Sequence, residues 1–93
     1  MATVRIYTRA WCGYCTAALS LLRRKGVAFD EIDVGGKPEM RRWLVQTTGR
    51  TTVPQIFING TPIGGYTDLR ALDERGELDR MLGEPYQGSS ASG

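Results

Sequence analysis

Along the first third of the chain the spacing of apolar positions changes twice. In residues 3–8, Val4 and Ile6 alternate with Thr3, Arg5 and Tyr7, the period of a strand. From Gly13 the period becomes helical, with Cys15, Ala18, Leu19 and Leu22 on one face. Arg23-Arg24-Lys25 followed by Gly26 then reads as a helix stop. Residues 27–34 (VAFDEIDV) return to an extended pattern in which Phe29, Ile32 and Val34 are only loosely spaced. Gly35-Gly36 breaks the chain, and Pro38 suits the first turn of a second helix with Glu39 beside it. That helix carries an apolar stripe of Met40, Trp43, Leu44 and Thr47 and ends at Gly49.

The stretches QIFING and TPIGG flank Asn59-Gly60, a strong two-residue hairpin signal. Thr67 is expected to cap a third helix, with Asp68 in its first turn, Leu69 and Leu72 facing inward and Gly76 at its end. A short piece, ELDRML, follows. Residues 84–93 lack a core-forming pattern and are expected to be a flexible tail or an appended remnant, which leaves 1–83 as the single domain. The order is thus β-α-β-α-β-β-α. A β-α-β unit demands a parallel pair and a hairpin an antiparallel one, so one mixed sheet covered by helices is the economical solution.

Composition narrows the chemistry. The chain has no histidine and only two cysteines, which excludes Ser-His-Asp and Cys-His catalysis. No apolar run approaches a membrane span and no signal core opens the sequence, so a cytoplasmic setting is expected. There a Cys-x-x-Cys pair is seldom a permanent staple. The net charge of +2 is too small to argue for nucleic acid, but it is unevenly spread. Residues 1–50 hold nine of the twelve basic groups and four of the ten acids, with no acid before Asp30. Both cysteines therefore sit in the positive half, which favours thiolate and attracts small anions. For any one of these arginines a solvated basic face is the plainer reading.

Cys12 falls where the first strand has ended and the first helix begins. Unpaired backbone N–H groups and the helix dipole stabilise an anion there. The Cys12 thiol is expected to titrate well below its usual ~8.5, in the ~3.5–7.5 range of such positions, with Arg9 adding favourable charge. Cys15 lies one turn deeper on the same face, within disulfide reach, and is expected to keep a more ordinary pKa. The asymmetry assigns attack to Cys12 and resolution to Cys15. A zinc site needs four ligands and this chain offers two sulfurs. An inert buried pair is the other alternative. Between the cysteines, Gly13 allows close backbone approach and Tyr14 offers a flat face and a hydroxyl, while Trp11 either walls the site or belongs to the core.

Four motifs, IYTRAWCGYC, GRTTVPQIFING, IGGYTDL and ALDERGELD, stand in an order and spacing that resembles the glutaredoxin family, its small dithiol class, from about Val4 to Leu82. The resemblance implies a thioredoxin-like α/β fold, with a four-stranded mixed sheet flanked by three main helices. It implies glutathione-dependent reduction of protein disulfides and of protein–glutathione mixed disulfides. Thr52, Val53 and Pro54 match the family's TVP element, in which the proline is cis and the backbone before it pairs with the cysteinyl part of glutathione. Gly65, Tyr66, Thr67 and Asp68 are similar to its site for the γ-glutamyl end: N–H groups would meet the carboxylate and Asp68 the ammonium. Arg9 and Arg41 match basic positions that engage the glycine carboxylate, although Arg42 is adjacent, and Tyr14 would flank the thiol.

Gly13 departs from the usual Cys-Pro-Tyr-Cys loop. Members with a small residue there can hold a 2Fe–2S cluster between two subunits, Cys12 and a glutathione thiol from each supplying four sulfurs. A monomer is otherwise expected, with glutathione and oxidised proteins as partners, and no membrane or nucleic acid. Tyr66 stands where cysteine or serine is common. Trp11 before the pair also resembles the thioredoxin loop, leaving a thioredoxin relative reduced by a flavoprotein as a third reading.

Overall fold

The computed structural model describes residues 2–83, so the expected tail over 84–93 lies outside the described residues. Eight elements follow one another: β1 (Val4–Thr8), α1 (Gly13–Arg24), β2 (Asp30–Asp33), α2 (Pro38–Thr48), β3 (Gln55–Ile58), β4 (Thr61–Gly64), α3 (Tyr66–Glu74) and α4 (Glu77–Gly83). The strands form one sheet in the order β2-β1-β3-β4. β1 runs parallel to β2 and antiparallel to β3, and β3 antiparallel to β4. The mixed sheet is as expected. The short ELDRML piece is a fourth helix, α4, so the sheet is flanked by four helices.

The two faces of β1 sort its side chains as the alternation requires. Val4 and Ile6 join Ile56 and Ile58 of β3 under Leu19 and Leu22 of α1, Leu69 of α3 and Leu78 and Leu82 of α4. On the other face Tyr7 and Phe57 pack with Val34 and with Leu44 of α2. Trp43 completes an aromatic cluster there, its ring 5.7 Å from Tyr7 and 5.9 Å from Phe57, yet it stays partly exposed. The local stops behave as read: Gly26 and Gly49 adopt left-handed backbone just past α1 and α2, and Pro38 opens α2. Asn59 (φ 52°) and Gly60 (φ 81°) both carry the positive φ of a tight hairpin turn.

This arrangement sends three loops to one end of the sheet: β1 to α1, α2 to β3, and β4 to α3. They carry the cysteines, the Val53–Pro54 bond and the start of α3.

Candidate active site

Cys12 is the N-cap of α1, in extended backbone (φ −114°, ψ 108°). Its Sγ accepts the Cys15 backbone N–H at 3.2 Å and, as a thiol, donates to the Val53 carbonyl at 3.7 Å. The Cys12 carbonyl is fixed in turn by the Thr16 N–H and hydroxyl. No acid occupies the first turn of α1, so nothing there competes with an anionic sulfur. Both cysteines are free thiols. Cys15 is 2% exposed. Burial pushes its thiol up to about 12, with the nearby Cys12 sulfur adding to the shift and the Arg9 backbone opposing it. The expectation of an ordinary Cys15 is corrected on this point, because helix position alone did not reveal how completely the sheet and α1 enclose the sulfur. Trp11 is not core. It adopts φ 60° with its side chain fully exposed and lines a shallow hollow with Arg9, Cys12, Thr16 and Leu19.

Two hollows meet at the Thr52–Val53 backbone, whose Val53 carbonyl lies 3.7 Å from Cys12 Sγ, and the Val53–Pro54 bond is cis. At one end Arg9 and Arg41 face Thr52 and Val53 across a hollow with Val34 and Gly35. Arg42 opens instead onto an adjoining hollow with Pro38 and Val45, so Arg41 is the one that shares an end with Arg9. At the other end Tyr14, Thr52, Val53, Gly65, Tyr66 and Thr67 line a cleft of about 300 Å³. That is the lower end of the ~300–1,000 Å³ that small-molecule sites span. The Tyr14 and Tyr66 rings lie 6.2 Å apart and near parallel, forming one wall. The floor is held from behind by buried Gln55, whose Nε2 donates to Thr52 O at 2.8 Å.

The start of α3 corrects a second expectation. Thr67 is not the cap: the helix begins at Tyr66 after Gly65, and the Asp68 carboxylate reaches back to accept the Gly65 N–H at 2.9 Å. The same oxygen, Oδ2, accepts Arg50 Nη1 at 2.8 Å. The Gly65 N–H first, and then the Arg50 guanidinium, hold the Asp68 carboxyl below its ordinary value. Two residues that the sequence reading passed over take part here. Gly64 (φ 119°) has no Cβ, and one would collide with the Asp68 carboxylate. Arg50 lines the cleft beside Thr67. Paired glycines before a first-turn acid were a visible signal for Gly64, whereas nothing local pointed to Arg50.

Two free thiols at a helix start, one accessible and one enclosed, form a chemistry of sulfur exchange, and the comparisons with known proteins agree. Residues 4–63 match the family model described as Glutaredoxin. The chain belongs to the glutaredoxin family. It is 55% identical over 82 residues to the glutaredoxin of Pseudomonas aeruginosa, covering 88% of this chain and 98% of that one. It is 51% identical over 82 residues to glutaredoxin 3 of Escherichia coli, covering 88% and 99%. Among solved structures, the buckwheat glutaredoxin–glutathione complex superposes with a TM-score of 0.83 at 28% identity, covering 87% of this chain and 76% of that one. As a glutaredoxin with the thioredoxin-like fold, this protein is a thiol–disulfide oxidoreductase.

Metal chemistry is less well served. Among the described residues no group of three or more histidine, cysteine or acidic side chains could hold a metal ion. With Cys15 buried, one chain offers an iron–sulfur cluster one accessible sulfur, Cys12, against the four that a cluster takes. The shared cluster would take its other three sulfurs from a second chain and two glutathiones. No described helix is long and apolar enough to cross a membrane.

Proposed function

We propose that residues 1–83 act as a glutathione-dependent reductase of protein disulfides and protein–glutathione mixed disulfides in the cytoplasm. The observation that carries this is the Thr52–Val53 backbone beside the Cys12 sulfur, with Arg9 and Arg41 in the hollow on one side and, on the other, a cleft at the start of α3, where Asp68 accepts the Gly65 N–H. Glutathione matches that order: a carboxylate for Arg9 and Arg41, a cysteinyl backbone for Val53, and an α-amino acid end for Thr67 and Asp68. The resemblance to a glutaredoxin solved with glutathione supports the same reading.

Cys12 attacks, as thiolate, the glutathione sulfur of a mixed disulfide. The Cys12–glutathione S–S bond forms, the old S–S bond breaks, and the protein thiolate leaves and takes up a proton. A second glutathione thiolate then attacks the bound glutathione sulfur, which releases glutathione disulfide and returns Cys12 as thiolate. One glutathione thiol is consumed for each mixed disulfide reduced, because the other half of the glutathione disulfide comes from the substrate. With a protein disulfide, Cys12 forms a mixed disulfide with the substrate and Cys15, losing its proton, attacks Cys12 Sγ to expel the substrate thiol. Part of what suppresses Cys15 is the neighbouring Cys12 sulfur, and that part falls away once Cys12 is bonded. Backbone donors docking at the Val53 carbonyl displace the Cys12 S–H from it, so binding and freeing of the sulfur are linked.

A coupled assay supplying electrons from either glutathione with its reductase or thioredoxin reductase tests the reading. Turnover with glutathione alone is expected; turnover with thioredoxin reductase alone overturns it.

A further inference from the structure

The face of the sheet under α2 is covered at one end and open at the other. Toward the end that carries the cysteines, Val34, Leu44 and Val53 pack on Tyr7 and Phe57. Toward the hairpin the cover stops, and a hollow of about 330 Å³ opens between β1, β3 and the far part of α2. That volume lies within the ~300–1,000 Å³ of small-molecule sites. Tyr7, Trp43 and Phe57 wall the hollow with ring centroids 5.6 to 5.9 Å apart, yet Trp43 is left 44% exposed.

Arg5 is the anomaly of this face. β1 is an inner strand, paired with β2 on one side and β3 on the other, and Arg5 stands directly opposite Phe57. Such a position beside an apolar cluster calls for an apolar side chain. Here it holds an exposed guanidinium, next to the Tyr7 side chain and within the weaker field of the Asp30 carboxylate. Thr3 and Thr47 add hydroxyls to the lining, and Gly60 leaves the hairpin side open. None of these residues takes part in the sulfur chemistry, which sits at the other end of β1.

We propose that this hollow is a binding site for a planar aromatic anion of one or two rings, its ring against Trp43 and its charged group on Arg5. The exposed aromatic surface favours a flat apolar body, and stacking adds to the gain from burial. The cation selects the sign of charge: a carboxylate or sulfonate meets Arg5 favourably, whereas an aromatic amine meets like charge. A guanidinium has five N–H donors in a planar fork, so its contact with Tyr7 leaves others for a ligand. An aliphatic anion would use the cation without the rings, and a neutral aromatic the rings without the cation.

The test titrates the isotope-labelled full chain with 2-naphthoate, 2-naphthamide (no charge) and hexanoate (no ring), following indole and amide N–H shifts by NMR. The two tryptophans report separately, Trp43 from the hollow and fully exposed Trp11 from beside the cysteines. 2-Naphthoate is expected to shift the Trp43 indole and the Thr3 and Gly60 amides, with a Kd on the order of 0.1–1 mM, and to leave the Trp11 indole in place. 2-Naphthamide and hexanoate are each expected to bind about tenfold more weakly. Arg5→Gln, a change at an exposed position, is expected to reduce 2-naphthoate to the affinity of the amide and to leave glutathione-coupled turnover unchanged. No shift at Trp43, equal affinity for naphthoate and naphthamide, an affinity that survives Arg5→Gln, or shifts centred on Arg9, Trp11 and Arg41 would overturn the proposal.

Discussion

Two helix starts stand at the same end of the sheet, and they are furnished in opposite ways. α1 opens on a sulfur, with no acid in its first turn and the Cys15 N–H directed at Cys12. α3 opens on a glycine whose N–H is already taken by Asp68, itself held by Arg50. Both use the same unpaired backbone donors. At α1 the donors are left for a group whose charge changes during the reaction. At α3 a fixed charge holds one of them, the Gly65 N–H, which makes the site a place of recognition rather than reaction. A reacting centre needs unspent electrostatic capacity, and a recognition centre needs its charges set in advance.

The largest effect comes from removing the group at α1. Cys12→Ser is expected to abolish turnover in both the deglutathionylation and the protein-disulfide assay, because serine is a poor nucleophile at its free pKa. Cys15→Ser should keep deglutathionylation and lose most protein-disulfide reduction; the reverse pattern would exchange the two roles. At α3, Gly64→Ala places a Cβ against the Asp68 carboxylate and forces an L side chain to φ 119°. It should destabilise the fold by roughly 1–3 kcal/mol in a denaturant titration and raise the KM for glutathione several-fold. A wild-type KM in that variant would mean the start of α3 does not matter for binding.

Asp68→Asn is expected to be milder in stability, below about 1 kcal/mol, since its partners are partly solvated. The sign follows from the direction of its shift. Asp68 is held below its ordinary value of 3.8, so its contribution is present above that value and fades as the pH falls through the depressed one. Acid unfolding should therefore be less steep in Asp68→Asn than in wild type. Cys15 gives the opposite limb. Its thiol is raised from 9.0 to about 12, so stability is full below 9 and declines as the pH climbs between those values. Cys15→Ala should flatten that alkaline decline.

Much of the scaffold was legible because its signals are local. The Val4/Ile6 alternation, the glycines after α1 and α2, Pro38 and Asn59-Gly60 each act through the backbone of a few adjacent residues. The Cys12-x-x-Cys15 pair was legible for the same reason. What was not legible depends on distant partners. Cys15 owes its shift to packing that closes over it. Thr67 read as a cap because it has a hydroxyl, whereas Gly65 has no side chain to advertise the position and the capping group lies three residues downstream. Arg50 stands in a loop eighteen residues before the carboxylate it meets, with nothing beside it to suggest a partner.

The difference between the two sulfurs is tested most directly by brief alkylation of the reduced native protein at pH 7, with the label located by mass spectrometry. One alkyl group on Cys12 is expected, with Cys15 unlabelled until the chain is denatured. Equal labelling of both, or Cys15 labelled first, would contradict the account.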